Sequence, residues 1–246
     1  MSTMHGTAVV VTGGSRGIGA ATAVRLAREG ADVAFTYVQD EARAKEVAAR
    51  IEATGRKALP LRADAADAGD AAGAVHWAAD ALGRLDVLVN NAGIGVLGPL
   101  ESLALTDVDR VLAVNVRAAF LAAQAAAGRL PEGGRIVTVG SCMTQRVPGP
   151  GGVLYALSKT ALIGLTKGLA RDLGGRGITA NLVHPGPVDT DMNPADGPHA
   201  EGQASLTALG RFGTPDEVAA MVAFLAGPEG RYVTGAEFSV DGGYAA

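Results

Sequence analysis

The sequence predicts an α/β protein in which a parallel sheet of about seven strands is covered by helices on both faces, a three-layer, doubly wound arrangement. Three observations lead there. Short β-type runs alternate with longer helical segments along the whole chain. The first apolar run, Ala8-Val9-Val10-Val11, leads through a glycine-rich turn directly into a helix-like segment. No linker rich in Pro, Gly or Ser and no internal repeat interrupts the pattern, so residues 1–246 are expected to form one domain, a size that α/β folds often hold in one piece.

Strands are predicted at Ala8 to Val11, Asp32 to Tyr37, Lys57 to Arg62, Val87 to Asn90, Arg135 to Gly140, Thr179 to Val183 and Glu237 to Val240. Apolar stripes at helical spacing follow the glycine turn from Ala20 to Ala27 and recur over Glu41 to Thr54, Ala68 to Leu82, Asp107 to Leu130 and Leu154 to Leu173. In such a sheet, ligands are expected beyond the carboxyl ends of the strands.

Composition narrows the function classes. The chain carries 21 basic and 25 acidic residues, a net charge of −4, with no basic block, which argues against nucleic acid or an anionic membrane as partner. Apolar stretches are broken well before the ~20 residues of a membrane helix, and Met1-Ser2-Thr3-Met4-His5 lacks a charged leader start. A soluble, cytoplasmic protein is expected. Cys142 is the sole cysteine, the histidines are scattered at 5, 76, 184 and 199, and Asp189 and Asp191 lack the further oxygen ligands of a hard-cation loop, so no metal site is expected. With 4% aromatic residues, an aromatic cage is also not expected.

Two motifs carry chemistry. In Tyr155-Ala156-Leu157-Ser158-Lys159, a spacing of four places the phenol and ammonium on one helix face. A nearby cation is expected to lower the phenol pKa from ~10 and so make Tyr155 a proton-transfer group, although Tyr and Lys at this spacing also dress many helix surfaces. In Thr12-Gly13-Gly14-Ser15-Arg16-Gly17-Ile18-Gly19, glycines permit a tight turn, and the free amides of the following helix suit a pyrophosphate. Its GxxxGxG spacing differs from the usual GxGxxG, and a glycine turn alone also serves simple strand–helix connections.

Taken in order, the glycine turn at 13–19, Asp64, Asn90-Asn91-Ala92-Gly93, Asn115, Ser141, Tyr155 with Lys159, and Pro185-Gly186 resemble the short-chain dehydrogenase/reductase family, over essentially the whole chain. The resemblance implies a Rossmann fold and an oxidoreductase that reduces a ketone or aldehyde, or oxidises a secondary alcohol, by hydride transfer. Tyr155 would be the acid/base, Ser141 would orient the substrate oxygen, Lys159 would hold the nicotinamide ribose, and Asn115 would support a water-mediated proton path. By the same resemblance Gly13, Ser15, Arg16, Gly17, Ile18, Gly19, Tyr37, Asp64, Ala65, Asn91, Ala92, Gly93, Tyr155, Lys159, Pro185, Gly186, Val188 and Thr190 would contact the cofactor. Tyr37 stands where an acidic residue would bind the NAD ribose, and Arg16 resembles the basic residue that meets a 2'-phosphate, so NADP (NADPH) is expected. Asp40, close by, keeps NAD and an NAD-dependent alcohol dehydrogenase open.

Simpler roles exist for these residues: a solvated cation for Arg16, a turn cap for Asn90 and Asn91, core for Val188, and loop hydrogen bonding for Ser141 and Asn115. His184, Trp77 and Cys142 are read as cleft-lining or structural, Trp77 as core or interface, and Cys142 as a small buried thiol. The Ser141 to Tyr155 interval is one residue longer than in many relatives, Ala65 replaces a larger aliphatic residue, and Asp189 to Pro198 resembles a mobile substrate loop. The pattern is nearest to 3-oxoacyl reductases, where Arg129, Arg146 and Arg211 would be candidates to meet an acidic carrier. The C-terminal half also resembles biofilm-dispersal mediators, which leaves a cyclic-dinucleotide-binding regulator as the competing expectation. A homotetramer is implied, with a small-molecule carbonyl substrate as partner.

Overall fold

The computed structural model describes residues 4–246; Met1, Ser2 and Thr3, part of the segment read above as lacking a leader start, lie outside the described residues. Seven strands, β1 (Ala8–Val11), β2 (Asp32–Tyr37), β3 (Ala58–Arg62), β4 (Val87–Asn90), β5 (Arg135–Val139), β6 (Thr179–Pro185) and β7 (Glu237–Val240), form one sheet in the order β3-β2-β1-β4-β5-β6-β7. Every pairing is parallel, so all carboxyl ends open onto the same edge. The order reverses between β1 and β4, and that switch point leaves a crevice above the sheet.

Successive strand residues point to opposite faces, and the core divides accordingly. Val9, Val11, Val33 and Phe35 pack with Val24 and Leu26 of α1 (Gly17–Arg28), Val47 and Ile51 of α2 (Glu41–Glu52), and Val218 and Val222 of α8 (Pro215–Ala226). Val10, Leu88 and Ile136 pack on the other face with Val75 and Ala78 of α3 (Ala68–Leu82) and Ala122 and Ala126 of α5 (Ala118–Ala127). Alanine dominates the buried face of α5, and its small side chain allows close approach to the sheet.

The structure corrects several expectations. The helix predicted over Asp107 to Leu130 is α4 (Leu105–Leu112), a π-helical turn (Ala113–Arg117) and α5. At the turn the Ala118 N–H reaches back to the Ala113 carbonyl, inserting an extra residue without disturbing the apolar stripe enough to show in the pattern. The helix carrying Tyr155, α6, runs Val153–Leu173. The short α7 (Ala200–Ser205) and α8 were not predicted, although Thr214-Pro215-Asp216-Glu217 signals the start of α8: Thr214 and Glu217 form a capping box around Pro215 at the first turn. Trp77 is 40% exposed on α3 and is not core. Among the described residues, no helix is long and apolar enough to cross a membrane.

Candidate active site

The glycine turn is fixed from both neighbouring strands. Gly13 donates its N–H to Thr36 Oγ1 (2.9 Å) and Gly14 to the Thr36 carbonyl (2.8 Å), at the end of β2. From the β4 side, Asn91 Nδ2 donates to the carbonyls of Thr12 and Gly13 (3.0 Å each), while Thr12 Oγ1 accepts the N–H groups of Asn91 and Ala92 (3.0 Å each). Two glycines are required by space or backbone: a Cβ at Gly19 would lie 2.2 Å from the Gly13 carbonyl oxygen, and Gly17 opens α1 at φ +52°. The cradle of Gly13, Ser15, Arg16, Gly17 and Ile18 therefore presents main chain and the N-terminus of α1 to the crevice, which fits a dinucleotide pyrophosphate.

Around it stand the other residues predicted from sequence. Tyr37 ends β2, and its carbonyl accepts the N–H of Ala63. Asp64 and Ala65 follow β3, with Asp64 Oδ1 accepting the Ala66 N–H at 2.9 Å. Arg16 is exposed; its carbonyl accepts the Ala20 N–H at 3.1 Å, while its guanidinium has no ion-pair or hydrogen-bonding partner among the described residues. Asp40 instead caps α2, accepting the Arg43 N–H at 2.9 Å and pairing with its guanidinium at 3.3 Å.

Across the switch point, β6 ends at Pro185. A Cβ at Gly186 would lie 2.6 Å from Asp241 Cα, so only glycine lets the chain pass. Val188 is buried and Thr190 packs so close to the α1 N-terminus that a Cβ at Gly17 would lie 3.2 Å from its Cγ2. The loop that follows is tied down: Asp189 accepts the Ala195 N–H at 3.0 Å, and Asp191 pairs with Arg43.

The side chains expected to carry chemistry meet at the ends of β4, β5 and the first turns of α6. Lys159 is buried and donates from Nζ to the Val139 carbonyl at 3.2 Å, with Nζ 5.9 Å from the Tyr155 ring centre. Gly93 faces it, where a Cβ would sit 3.1 Å from Nζ. Asn115, inside the π turn, accepts the Ile94 N–H through Oδ1 and donates through Nδ2 to the Ile94 carbonyl and Ser158 Oγ, each at 2.9 Å. Ser158 in turn donates to the Tyr155 carbonyl at 2.8 Å, so Asn115 registers α6 against the loop after β4. Ser141 caps a short helical turn, its hydroxyl accepting the Met143 N–H at 3.2 Å.

Electrostatics differs from the sequence expectation. Burial pushes the Tyr155 phenol above its ordinary value and outweighs a hydrogen bond from the Ser141 hydroxyl that pulls it back. Spacing shows that the Lys159 and Tyr155 side chains meet, not how dry their surroundings are. Burial likewise lowers Lys159 to about 8, so the ammonium is charged at neutral pH but readily neutralised. Cys142 is buried, with its thiol pushed up to about 12, and stays a thiol. The three arginines proposed for a carrier are each engaged: Arg129 with Asp80 (2.7 Å), Arg211 with Glu217 (2.6 Å), and Arg146 with the carbonyl (2.9 Å) and ring of Tyr244.

A family model described as enoyl-(acyl carrier protein) reductase matches residues 13–245. The chain belongs to the short-chain dehydrogenase/reductase family. It is similar to a short-chain dehydrogenase from Burkholderia cenocepacia J2315, solved in complex with NADP, at 57% identity and TM-score 0.98 over 99% of this chain and 100% of that one. It is 46% identical, over 100% of both chains, to the cyclic-di-GMP-binding biofilm dispersal mediator protein of Escherichia coli K12. A 3-oxoacyl-[acyl-carrier-protein] reductase of Synechocystis is 37% identical over 99% of this chain and 98% of its own. The family accounts for the one sheet, the glycine cradle and the Tyr155–Lys159 pair. Thr12, Thr36 and Ser158, which hold these parts in place, carried no sequence signal distinguishing them from ordinary loop and helix hydroxyls.

Proposed function

We propose that this chain is an NADP-dependent reductase of ketones or aldehydes, reversible toward secondary alcohols, working as a single catalytic domain. The observation that carries it is the convergence of the Ser141 hydroxyl, the Tyr155 phenol and the buried Lys159 ammonium beside a glycine cradle. Bound NADPH supplies the hydride that reaches the carbonyl carbon. The side chains of this chain manage the oxygen. Tyr155, a phenol that is protonated at neutral pH and held more firmly so by burial, donates its proton to the carbonyl oxygen, and it takes the alcohol proton in the reverse direction. Ser141 donates to the same oxygen and fixes its direction. Lys159 stays charged at neutral pH and offsets the phenolate that forms as the proton leaves. Asn115 keeps Tyr155 and Lys159 in register through Ser158 and Ile94.

NADP is favoured over NAD because the Arg16 guanidinium is exposed and unpaired beside the cradle, whereas Asp40, the carboxylate that follows β2, is committed to capping α2. A free small carbonyl compound is favoured over a substrate on an acidic carrier because Arg129, Arg146 and Arg211 are already engaged within the chain. A cytoplasmic homotetramer accords with the family and with exposed apolar residues on the long helices, Phe120 on α5 and Leu157 on α6. The test is NADPH and NADH consumption, side by side, on ketones, diketones, 3-oxoacyl esters and aldehydes, with Tyr155→Phe as control. Turnover that prefers NADPH and vanishes in the control is expected.

A second reading, a cyclic-dinucleotide-binding regulator, is favoured by the Escherichia coli relative's 46% identity along its whole length. Tight cyclic-di-GMP binding together with no turnover on the whole panel would put it first.

A further inference from the structure

His184 has no exposed surface, yet no step above uses it. It lies in β6 with its Nδ1 3.3 Å from the backbone nitrogen of Ser141. A backbone N–H can only donate, so Nδ1 accepts and the ring proton sits on Nε2, 3.2 Å from Glu237 Oε2 at the start of β7. Glu237 is held in turn by Lys167 of α6, at 2.9 Å from Nζ. Burial alone would raise the Glu237 carboxyl, but Lys167 and His184 together hold it below its usual range, so it is an anion poised to accept. Room for the ring comes from Gly140, where a Cβ would lie 2.7 Å from Nδ1. Thr144 completes the enclosure, donating to the Ser141 carbonyl at 2.9 Å while its oxygen lies 3.3 Å from Nδ1.

We propose that His184 is a positioning residue: its Nδ1 holds the Ser141 main chain, and hence the hydroxyl beside Tyr155, while Glu237 and Lys167 keep the ring in the accepting tautomer. The inference rests on the active-site reading of Ser141. Ser141 leaves the sheet just beyond β5; the far end of the turn it enters is held elsewhere, with Gln145 accepting from the Ser239 hydroxyl at 3.0 Å and Arg146 donating to the Tyr244 carbonyl at 2.9 Å, whereas the other main-chain bonds of Ser141 itself stay within the turn. His184 ties the Ser141 end of this turn to β6, and Glu237 extends the tie to β7.

The test uses the full chain and measures kcat and KM for a carbonyl substrate and for NADPH, with histidine nitrogen NMR on the 15N-labelled protein. His184→Leu removes the acceptor and is expected to lower kcat by ~10- to 100-fold, with KM for NADPH within about twofold, because small misplacements at a reacting centre cost this much. His184→Asn, whose Oδ1 can stand near the Nδ1 position, is expected to restore kcat to within about threefold of wild type on the same positional argument. Glu237→Gln, at the outer end, should lower kcat by about threefold and disturb the His184 nitrogen signals. In the wild type, the signals lost in His184→Asn should be an imine-type Nδ1 and a protonated Nε2.

A Ser141→Ala variant separates the two levels of the proposal. Loss of turnover in Ser141→Ala with wild-type kcat in His184→Leu would overturn the positioning role, as would a protonated Nδ1. Retained turnover in Ser141→Ala would overturn the active-site reading itself. Should His184→Leu fail to fold, Glu237→Gln and the wild-type tautomer decide, and unchanged kcat with unchanged nitrogen signals in Glu237→Gln would overturn the relay.

Discussion

On the β1 and β2 side of the switch point the crevice is made of main chain, whereas on the β5 and β6 side it is made of buried side chains. The first region offers amides and a helix N-terminus, clamped by Asn91, Thr12 and Thr36, and its close approaches depend on missing Cβ atoms at Gly17 and Gly19. The second takes ionisable groups out of water: a phenol raised by burial, an ammonium lowered to about 8 and a fully buried imidazole. A dinucleotide backbone is the same in every turnover, so fixed amides suffice for it. Burial brings the two charge states of Lys159 close in energy near neutral pH, and it keeps Tyr155 in the protonated form that can donate.

Substitutions should therefore fail in different ways on the two sides. Tyr155→Phe should reduce kcat by ~10²- to 10⁴-fold, the usual span of a lost acid/base, with NADPH affinity unchanged by fluorescence titration; a matching loss of affinity would blur the division. Gly19→Ala should do the reverse. Its Cβ would meet the Gly13 carbonyl at 2.2 Å, so ~1–3 kcal/mol of overpacking is expected in denaturant melts, together with at least ~10-fold weaker NADPH binding.

Lys159→Met should abolish turnover yet stabilise the fold at pH 7 by about 1–3 kcal/mol, because it removes a buried ammonium that lacks a counter-charge. The unfolded chain keeps that proton up to its ordinary value of 10.5, whereas the folded chain releases it near 8. The wild type thus carries the full penalty below pH 8 and gains stability as pH rises from there to 10.5, so the advantage of the variant should shrink over that window. Urea melts at pH 7 and pH 10 would show it, and an advantage independent of pH would rule out the charge as its cause. The smallest effect belongs to the exposed pair of Arg43 and Asp191: Asp191→Asn should leave the thermal melting curve essentially where it is in the wild type, with and without NADPH, because solvent screens the pair.

The two regions also differed in how far the sequence revealed them. Glycines required by geometry leave a readable spacing, and a four-residue interval puts Tyr155 and Lys159 on one face of α6, so these parts of the candidate site were legible in the sequence. What stayed hidden depends on residues distant along the chain. Asn91 clamps Thr12 and Gly13, and His184 joins Ser141 to Glu237, with nothing local in the sequence to announce either link. The π turn around Asn115 was hidden for another reason: one extra residue scarcely alters an apolar stripe made mostly of alanine. The sign of the Tyr155 shift was missed because spacing carries no information about dryness. For the fold, alternating runs located all seven strands, while the start of α8 is marked only by the local capping box of Thr214 and Glu217 around Pro215.

The sheet order has a consequence for how the molecule is made. β1 is synthesised first but lies inside the sheet, and its second neighbour, β4, arrives only with Val87–Asn90. Until Asn91 has left the ribosome, the cradle that begins at Gly13 lacks its clamp, and the nascent chain carries a sheet with one apolar edge unpaired. The partner of His184 comes later still, at Glu237. Assembly of this site is therefore among the last events of synthesis, and chaperone occupancy on stalled nascent chains should fall in two steps, at β4 and at β7.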